Sequence, residues 1–370
     1  LTKSGKKFVT ALSISSLSKN RVFEEIFDEK TTGKIDHIAL SRWADLVLVL
    51  PATANFMSKL SKGAADDLAS TIILASNKDI FLVPAMNVRM WLHKATQKNL
   101  NNLFDYGYKF IGPENGEMAC GEYGKGKMSS PRQILSFLER FFKKKDLLKK
   151  KKINAIVTTG PTKEHIDPVR FISNESSGKQ GYEIALELSR LGINTTLISG
   201  PTKINYSKDI KIKKVVSGKE MLEAVKKKLP THIAVCAAAV SDFRPANFNK
   251  NKIKKDNSPN ELKIEKNPDI LSYLGTNNRF KPKILVGFSA ETKDIMKNSL
   301  KKMNEKYCDI MIANDVSKKE FGFDSDFNEV IIVDKKGKSQ KIKKSSKKFV
   351  ASLIAKKIVD TFFLNEKKLN

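Results

Sequence analysis

The chain has 370 residues, a formal net charge of +28 and 40% hydrophobic residues. That length allows two domains of roughly 100–200 residues each, and the apolar content excludes a globally disordered chain. No apolar run approaches the ~20 residues of a membrane-spanning helix, and three scattered cysteines with four histidines exclude a disulfide framework or a cysteine-rich zinc site. A reducing, cytoplasmic setting fits this cysteine usage, and no secretory signal is visible. The charge would draw anionic partners, nucleic acid included. The lysines are spread widely, however, and no nucleic-acid motif accompanies them, so a solvated lysine surface is the plainer reading.

Residues 1–29 read as helices and turns at a domain edge; because the chain opens on Leu1, a preceding piece is expected. A buried strand at 45–50 ends at Pro51-Ala52-Thr53-Ala54-Asn55 and leads into a helix at 56–62. An apolar segment at 68–75 precedes a strand at 79–83, which ends at Pro84-Ala85-Met86-Asn87. A helix over 88–103 and a short strand at 108–111 follow. This β–α–β–α–β order predicts a parallel, doubly wound sheet with ligands at the strand carboxyl ends. Residues 112–128 hold five glycines around Cys120 without periodicity and read as a mobile loop. A closing helix spans 130–142. The lysine-rich stretch 143–152 is the expected linker between a domain at 1–142 and another at 153–370.

The second domain opens on a strand that stops at Thr158-Thr159-Gly160-Pro161-Thr162. After a loop, Ser173-Asn174-Glu175-Ser176-Ser177-Gly178-Lys179 leads into a helix at 182–191. Glycine and hydroxyls at a strand end and a helix start suit a phosphate, which takes backbone N–H groups there; an ordinary strand–turn–helix remains the alternative. The spacing is not that of a P-loop. Strands at 192–200, 211–216, 232–239, 283–288 and 309–313 alternate with helices at 218–229 and 294–306, and a short helix starts at Asn267-Pro268-Asp269-Ile270. Residues 248–265 are rich in lysine and asparagine and read as a mobile flap. A hairpin at 329–334 and 339–342 turns at Lys335-Lys336-Gly337, and an amphipathic helix spans 345–364. The predicted fold class is α/β, with two doubly wound, mainly parallel sheets.

Few side chains announce chemistry by themselves. His37 is a general base or an ordinary surface or core histidine. Asn87 is a turn residue or a fixed amide for a carboxylate. Cys120, in its glycine-rich surroundings, is a candidate for proton or redox work, whereas Cys236 reads as a small buried hydrophobe. Arg170, Lys179, Lys252, Lys254 and Lys255 clamp phosphates or stay solvated, and Asp242 is a candidate for a divalent cation.

Taken together these motifs resemble the bifunctional phosphopantothenoylcysteine decarboxylase / phosphopantothenate–cysteine ligase family of coenzyme A biosynthesis. The first half carries His37-Ile38, Pro51-Ala52-Thr53-Ala54-Asn55, Pro84-Ala85-Met86-Asn87 and Ala119-Cys120-Gly121. The second carries Gly160-Pro161-Thr162, Asp167-Pro168-Val169-Arg170, Ser176-Ser177-Gly178-Lys179, Ala239-Val240-Ser241-Asp242, Lys252-Ile253-Lys254-Lys255, Asn267-Pro268-Asp269-Ile270, Gly287-Phe288-Ser289 and Ala313-Asn314-Asp315.

The resemblance implies a flavodoxin-like flavoprotein domain followed by a Rossmann-like ligase domain. In the ligase, CTP and Mg²⁺ activate 4′-phosphopantothenate as an acyl-cytidylate, which the amine of cysteine attacks. Arg170 and Asn174 match the residues that stabilise this intermediate, and Lys252 matches the lysine of the activation step. Gly160, Pro161, Thr162, Ser177, Gly178, Lys179, Asp242, Lys254, Lys255, Asn267, Pro268, Asp269, Ile270 and Phe288 match the nucleotide site, with Asp242 also implied for the metal. In the first half the resemblance implies FMN held by Pro51, Ala52, Thr53 and Asn55. His37 and Cys120 match its catalytic residues, and Met86 and Asn87 its substrate-binding residues. The family's amino-terminal strand and flavin-phosphate turn are absent from this sequence, so weak FMN binding by the chain as given is expected. A ligase dimer and trimeric decarboxylase units are implied as well, with no nucleic acid or membrane among the partners. The competing reading is a basic nucleotide- or nucleic-acid-binding protein without catalysis. A nicotinamide-dependent dehydrogenase lacks its G-x-G-x-x-G fingerprint here.

Overall fold

The computed structural model describes residues 1–26, 36–254, 261–291, 293–315 and 325–366, in two compact units, Leu1–Phe141 and Phe142–Asn370. In the first unit, helices α1 (Ala11–Ser18) and α2 (Asp36–Trp43) precede β1 (Leu46–Ala52), α3 (Ala54–Ser61), α4 (Leu68–Ala75) and β2 (Asp79–Pro84). Then come α5 (Val88–Leu92), α6 (Lys94–Asp105), β3 (Lys109–Phe110), β4 (Glu114–Glu117), β5 (Tyr123–Lys127) and α7 (Pro131–Lys150), whose last residues, from Phe142, belong to the second unit. Strands β1, β2 and β3 pair in that order, all parallel. Side chains alternate across a strand, so Ile80 and Leu82 enter one apolar cluster with Met57, Leu60 and Trp91. Phe81 and Val83 enter another with Ile111 and Ile134. Both faces of β2 are dry, which is why it reads as an unbroken apolar run. Phe81 meets Phe137 and Phe141 edge-on, with centroids 5.6 and 5.1 Å away.

Three expectations for this part of the chain need correction. Residues 112–128 are not a structureless loop: β4 and β5 form an antiparallel hairpin. The helix expected over 88–103 is two helices. His93 is extended between them, and its Nδ1 accepts the Ala95 N–H at 3.1 Å, capping α6. Residues 143–150 of the expected linker continue α7, because lysine is a good helix former. Leu148 is fully buried in the core of the second unit, and Lys144 and Lys151 pair with Asp360 and Glu366 there.

The second unit contains, in chain order, β6 (Asn154–Thr159), β7 (Lys163–His165), β8 (Phe171–Ser173), α8 (Lys179–Arg190), β9 (Asn194–Ser199), β10 (Lys211–Lys214), α9 (Gly218–Lys226) and β11 (Ile233–Cys236). It continues with β12 (Phe243–Pro245), β13 (Ile264–Lys266), α10 (Ile270–Thr276), β14 (Ile284–Glu291), α11 (Ile295–Glu305), β15 (Ile310–Asp315), β16 (Phe327–Asp334), β17 (Ser339–Ser346) and α12 (Lys347–Glu366). Its main sheet has the order β10-β9-β6-β11-β14-β15-β16-β17. The first six strands pair in parallel, and β16 pairs antiparallel with both β15 and β17. Helices α8 and α12 cover one face, where Ile184, Leu188, Ile354 and Ile358 meet Ala155 and Val157. Helices α9, α10 and α11 cover the other, where Met221, Leu274 and Met303 meet Ile156.

The chain runs outward from β6 through β9 to β10, then returns to the other side of β6 with β11. The topological switch point therefore lies between β6 and β11, where an open α/β sheet leaves a crevice at its strand carboxyl ends. The segment expected as a mobile flap is pinned on both sides of residues 255–260. Strand β13 pairs with β12, and the Asn249 N–H donates to Ile166 O at 3.0 Å.

Candidate active sites

At the switch point the backbone leaves β6 through Gly160, at φ +78°. A Cβ there would stand 2.7 Å from Thr202 Cγ2, and Gly178 packs so closely that its own Cβ would reach Gly160 Cα at 3.2 Å. Only glycine permits this approach of a strand end to the start of α8. Thr159 Oγ1 closes the contact by donating to Gly178 O at 2.6 Å.

Thr162 is the hub of the crevice. Fully buried, it takes the Ser173 hydroxyl on its carbonyl at 2.7 Å and the Ser241 N–H on Oγ1 at 3.1 Å. These two bonds fix the residues that follow each serine, Asn174 and Asp242. Asn174 Nδ2 reaches across to Val240 O at 3.0 Å. Asn267 donates its N–H to Asp242 O at 2.8 Å and its Nδ2 to Ser241 O at 2.9 Å, while its Oδ1 is buried without a partner among the described residues. Asn314, at the end of β15, has an Oδ1 in the same condition. A buried acceptor left unpaired costs about 1–3 kcal/mol, so each is a place where a bound molecule could donate.

The first unit has its own convergence. The Ala85 N–H donates to Ala52 O and the Met86 N–H to Gly126 O, both at 3.1 Å, bringing the ends of β1 and β2 to the hairpin. A Cβ on Gly126 would fall 2.4 Å from Met86 O, so this glycine serves close backbone approach. Asn87 Oδ1 caps α5 by accepting the Arg89 N–H at 2.7 Å. Its Nδ2 donates to the Glu122 carboxylate and lies 3.5 Å from Cys120 Sγ. Arg89 Nε stands 3.4 Å from Glu122. At the end of β1, Thr53 caps α3 by accepting the Phe56 N–H, and Asn55 is exposed. His37, half-buried at the start of α2, has no hydrogen bond to Asn87 or Cys120.

Two families match the chain: the flavoprotein family over residues 1–143, and the DNA/pantothenate metabolism flavoprotein C-terminal domain over residues 148–362. The coenzyme A biosynthesis bifunctional protein CoaBC of Haemophilus influenzae is 39% identical over 355 residues, 96% of this chain and 88% of that protein. CoaBC of Bacillus subtilis is 38% identical over 360 residues, 97% and 88% of the two chains. The chain belongs to the bifunctional coenzyme A biosynthesis protein family. A crystal structure of the C-terminal domain of a CoaBC protein is also similar, at 33% identity and a TM-score of 0.48, over 57% of this chain and 96% of that one.

Of the residues this family resemblance singled out, the structure gathers Gly160, Thr162, Asn174, Gly178, Asp242 and Asn267 at one crevice, with Pro161 bridged to Ala239 beside them. Others make contacts within the fold. Ile270 is a core residue. Asp269 caps α10 and pairs with Lys306 at 2.8 Å. Lys179 pairs with Asp326 at 2.6 Å. Phe288 packs on the core beside β15. Lys252 and Lys254 are exposed, and Lys255 lies outside the described residues. Cys236 packs among apolar side chains, and burial pushes its thiol well above the ordinary range. Asp167 and Asn314 stand in motifs that carry the resemblance but had no role assigned, and Glu122 stands in none. Each is a common polar residue near a loop, and its significance lies in a partner far along the chain or in having none.

Proposed function

We propose that the second unit ligates 4′-phosphopantothenate to cysteine at the expense of CTP, and that the first decarboxylates the product to 4′-phosphopantetheine with FMN. The observation that carries the ligase reading is the web through Thr162, which places Asn174, Asp242 and Asn267 at one topological switch point. An acyl-cytidylate forms when a carboxylate oxygen of the substrate attacks the α-phosphorus of CTP and pyrophosphate leaves. Oriented donors and positive charge around the reacting phosphate lower that barrier. Asn174 and Arg170 supply them to the intermediate, and Lys252 and Lys254 approach the phosphates. Asp242, together with phosphate oxygens of the nucleotide, would hold Mg²⁺, which would neutralise charge at the reacting phosphate.

In the first unit the groups at the end of β1 suit a flavin: Asn55 is exposed, and Gly126 lets the hairpin backbone reach Met86 O, where a Cβ would collide. Pro51, Ala52, Thr53 and Asn55 would hold FMN, whose contribution is to oxidise the substrate thiol and so make loss of carbon dioxide possible. Asn87 donates to the substrate carboxylate, a role supported by its bond to the Glu122 carboxylate. Met86 lines the same turn, Cys120 delivers a proton, and His37 is the candidate base. We place these reactions in the cytoplasm, where the free thiols Cys120, Cys236 and Cys308 stay reduced. We also propose self-association through exposed apolar residues such as Phe8, Leu12 and Leu17 in the first unit and Phe171, Phe243 and Ile264 in the second.

The deciding assay is pyrophosphate release by the purified chain. It should require CTP and 4′-phosphopantothenate together, with cysteine consumed in equal amount. Salt-sensitive binding of DNA without CTP turnover would overturn the ligase reading.

A further inference from the structure

Arg170 and Ile253 are 83 positions apart, yet one carboxylate holds both. Asp167 is fully buried, a setting in which a charged carboxylate persists only when its lone pairs are filled. Its Oδ1 accepts the backbone N–H groups of Val169 and Arg170, both at 2.8 Å. Its Oδ2 accepts Arg170 Nε at 3.0 Å and Nη2 at 2.6 Å, and then the Ile253 N–H at 3.3 Å. Arg170 Nη2 also donates to Ile253 O at 3.2 Å, closing a ring of carboxylate, guanidinium and the backbone of residue 253. The guanidinium holds the Asp167 carboxyl well below the usual carboxylate range. The two oxygens have separate duties: Oδ1 shapes the turn, and Oδ2 joins that turn to the segment between Lys252 and Lys254.

We propose that Asp167 is a positioning residue of the ligase, orienting Arg170 and fixing, through Ile253, where Lys252 and Lys254 stand in the crevice. This rests on the ligase reading of the second unit. Salt-linked side chains on two loops would otherwise sample many arrangements, and misplacement by about 1 Å costs on the order of 100-fold in rate.

The test is Asp167→Asn in the full chain. The amide keeps Oδ1 for the turn but sets an NH₂ against three N–H donors, so the turn survives and the link does not. Hydrogen exchange at the Ile253 amide should rise by about tenfold or more. The kcat for pyrophosphate release should fall by about 30-fold or more while KM for CTP stays within about threefold. Exchange in β6 should remain as in the unaltered chain. An Ile253 amide as protected as before, or a kcat unchanged when that protection is lost, overturns the proposal. Should the buried substitution unfold the unit, Ile253→Pro removes the N–H that reaches Asp167, and Ile253→Ala, which keeps it, controls for the lost side chain. The proline variant alone should show a fall in kcat, and an unchanged kcat overturns the proposal equally. Pyrophosphate release by the unaltered chain tests the ligase reading separately, whereas the exchange measurement reads the link whatever the reaction.

Discussion

Asn174 shows how a single exposed side chain acquires a role from its supports. Nothing in an Asn-Glu-Ser-Ser run specifies chemistry. The Ser173 hydroxyl ties the preceding residue to buried Thr162, however, and Asn174 Nδ2 spans to the carbonyl of Val240. The amide is therefore held at the crevice rim before any substrate arrives, which is the condition for electrostatic stabilisation without reorganisation. Asn174→Ala removes the amide but leaves Thr162, Ser173 and Ser241 in place, so the melting temperature should move little. The kcat for ligation should drop by about 100-fold or more. Steady-state turnover measured beside a thermal melt checks this, and unchanged turnover would remove Asn174 from the reaction.

At the scale of elements, legibility followed the range of the forces. Strands β2, β6, β11 and β14 could be read because both faces of each are buried, and the turn at Lys335-Lys336-Gly337 because its signal is local. The hairpin of β4 and β5 could not be read. Gly124 and Gly126 serve contacts with Val88 and Met86, and such contacts leave no periodicity along the chain. The three-residue strands β7 and β8 are too short to carry a pattern, yet they place Asp167 and Arg170 at the crevice. The candidate site divides in the same way: Gly160, Asn174 and Asp242 stood at visible strand or helix ends, whereas Asp167 was legible as part of a motif and acquired a role only with Ile253 beside it.

The opposite end of the sheet offers a pH test. His232, just before β11, accepts the Asn154 N–H on Nδ1 at 3.2 Å. Burial, and then the nearby Lys283, lower its pKa. The fold thus favours neutral imidazole. The unfolded chain binds the proton first, near the ordinary value of about 6.5. This contribution to stability is complete above that pH and declines below it, until the folded histidine also protonates. Melting between pH 7.5 and 5.5 should show a loss that is smaller in His232→Gln. An equal loss in both proteins would show that other groups carry the pH dependence.

Over the whole molecule the net charge of +28 is the feature that no single site explains. Lysines dispersed over a surface contribute little to stability in pairs, but their summed field concentrates anions at long range. Every substrate proposed for the second unit except cysteine carries phosphate. The field should therefore act on encounter, before Arg170, Lys252 or Lys254 makes contact. Ions screen it over about 10 Å at 0.1 M salt and about 3 Å at 1 M, whereas the Asp167–Arg170 link, with its carboxylate fully buried, is screened much less. Raising sodium chloride from 50 to 500 mM should increase KM for CTP and for 4′-phosphopantothenate several-fold while kcat changes by less than about twofold. Initial rates across that range make the measurement. A KM independent of salt would reduce the lysines to a solvated coat, and a kcat that fell in step would place the screened charges in the chemical step itself.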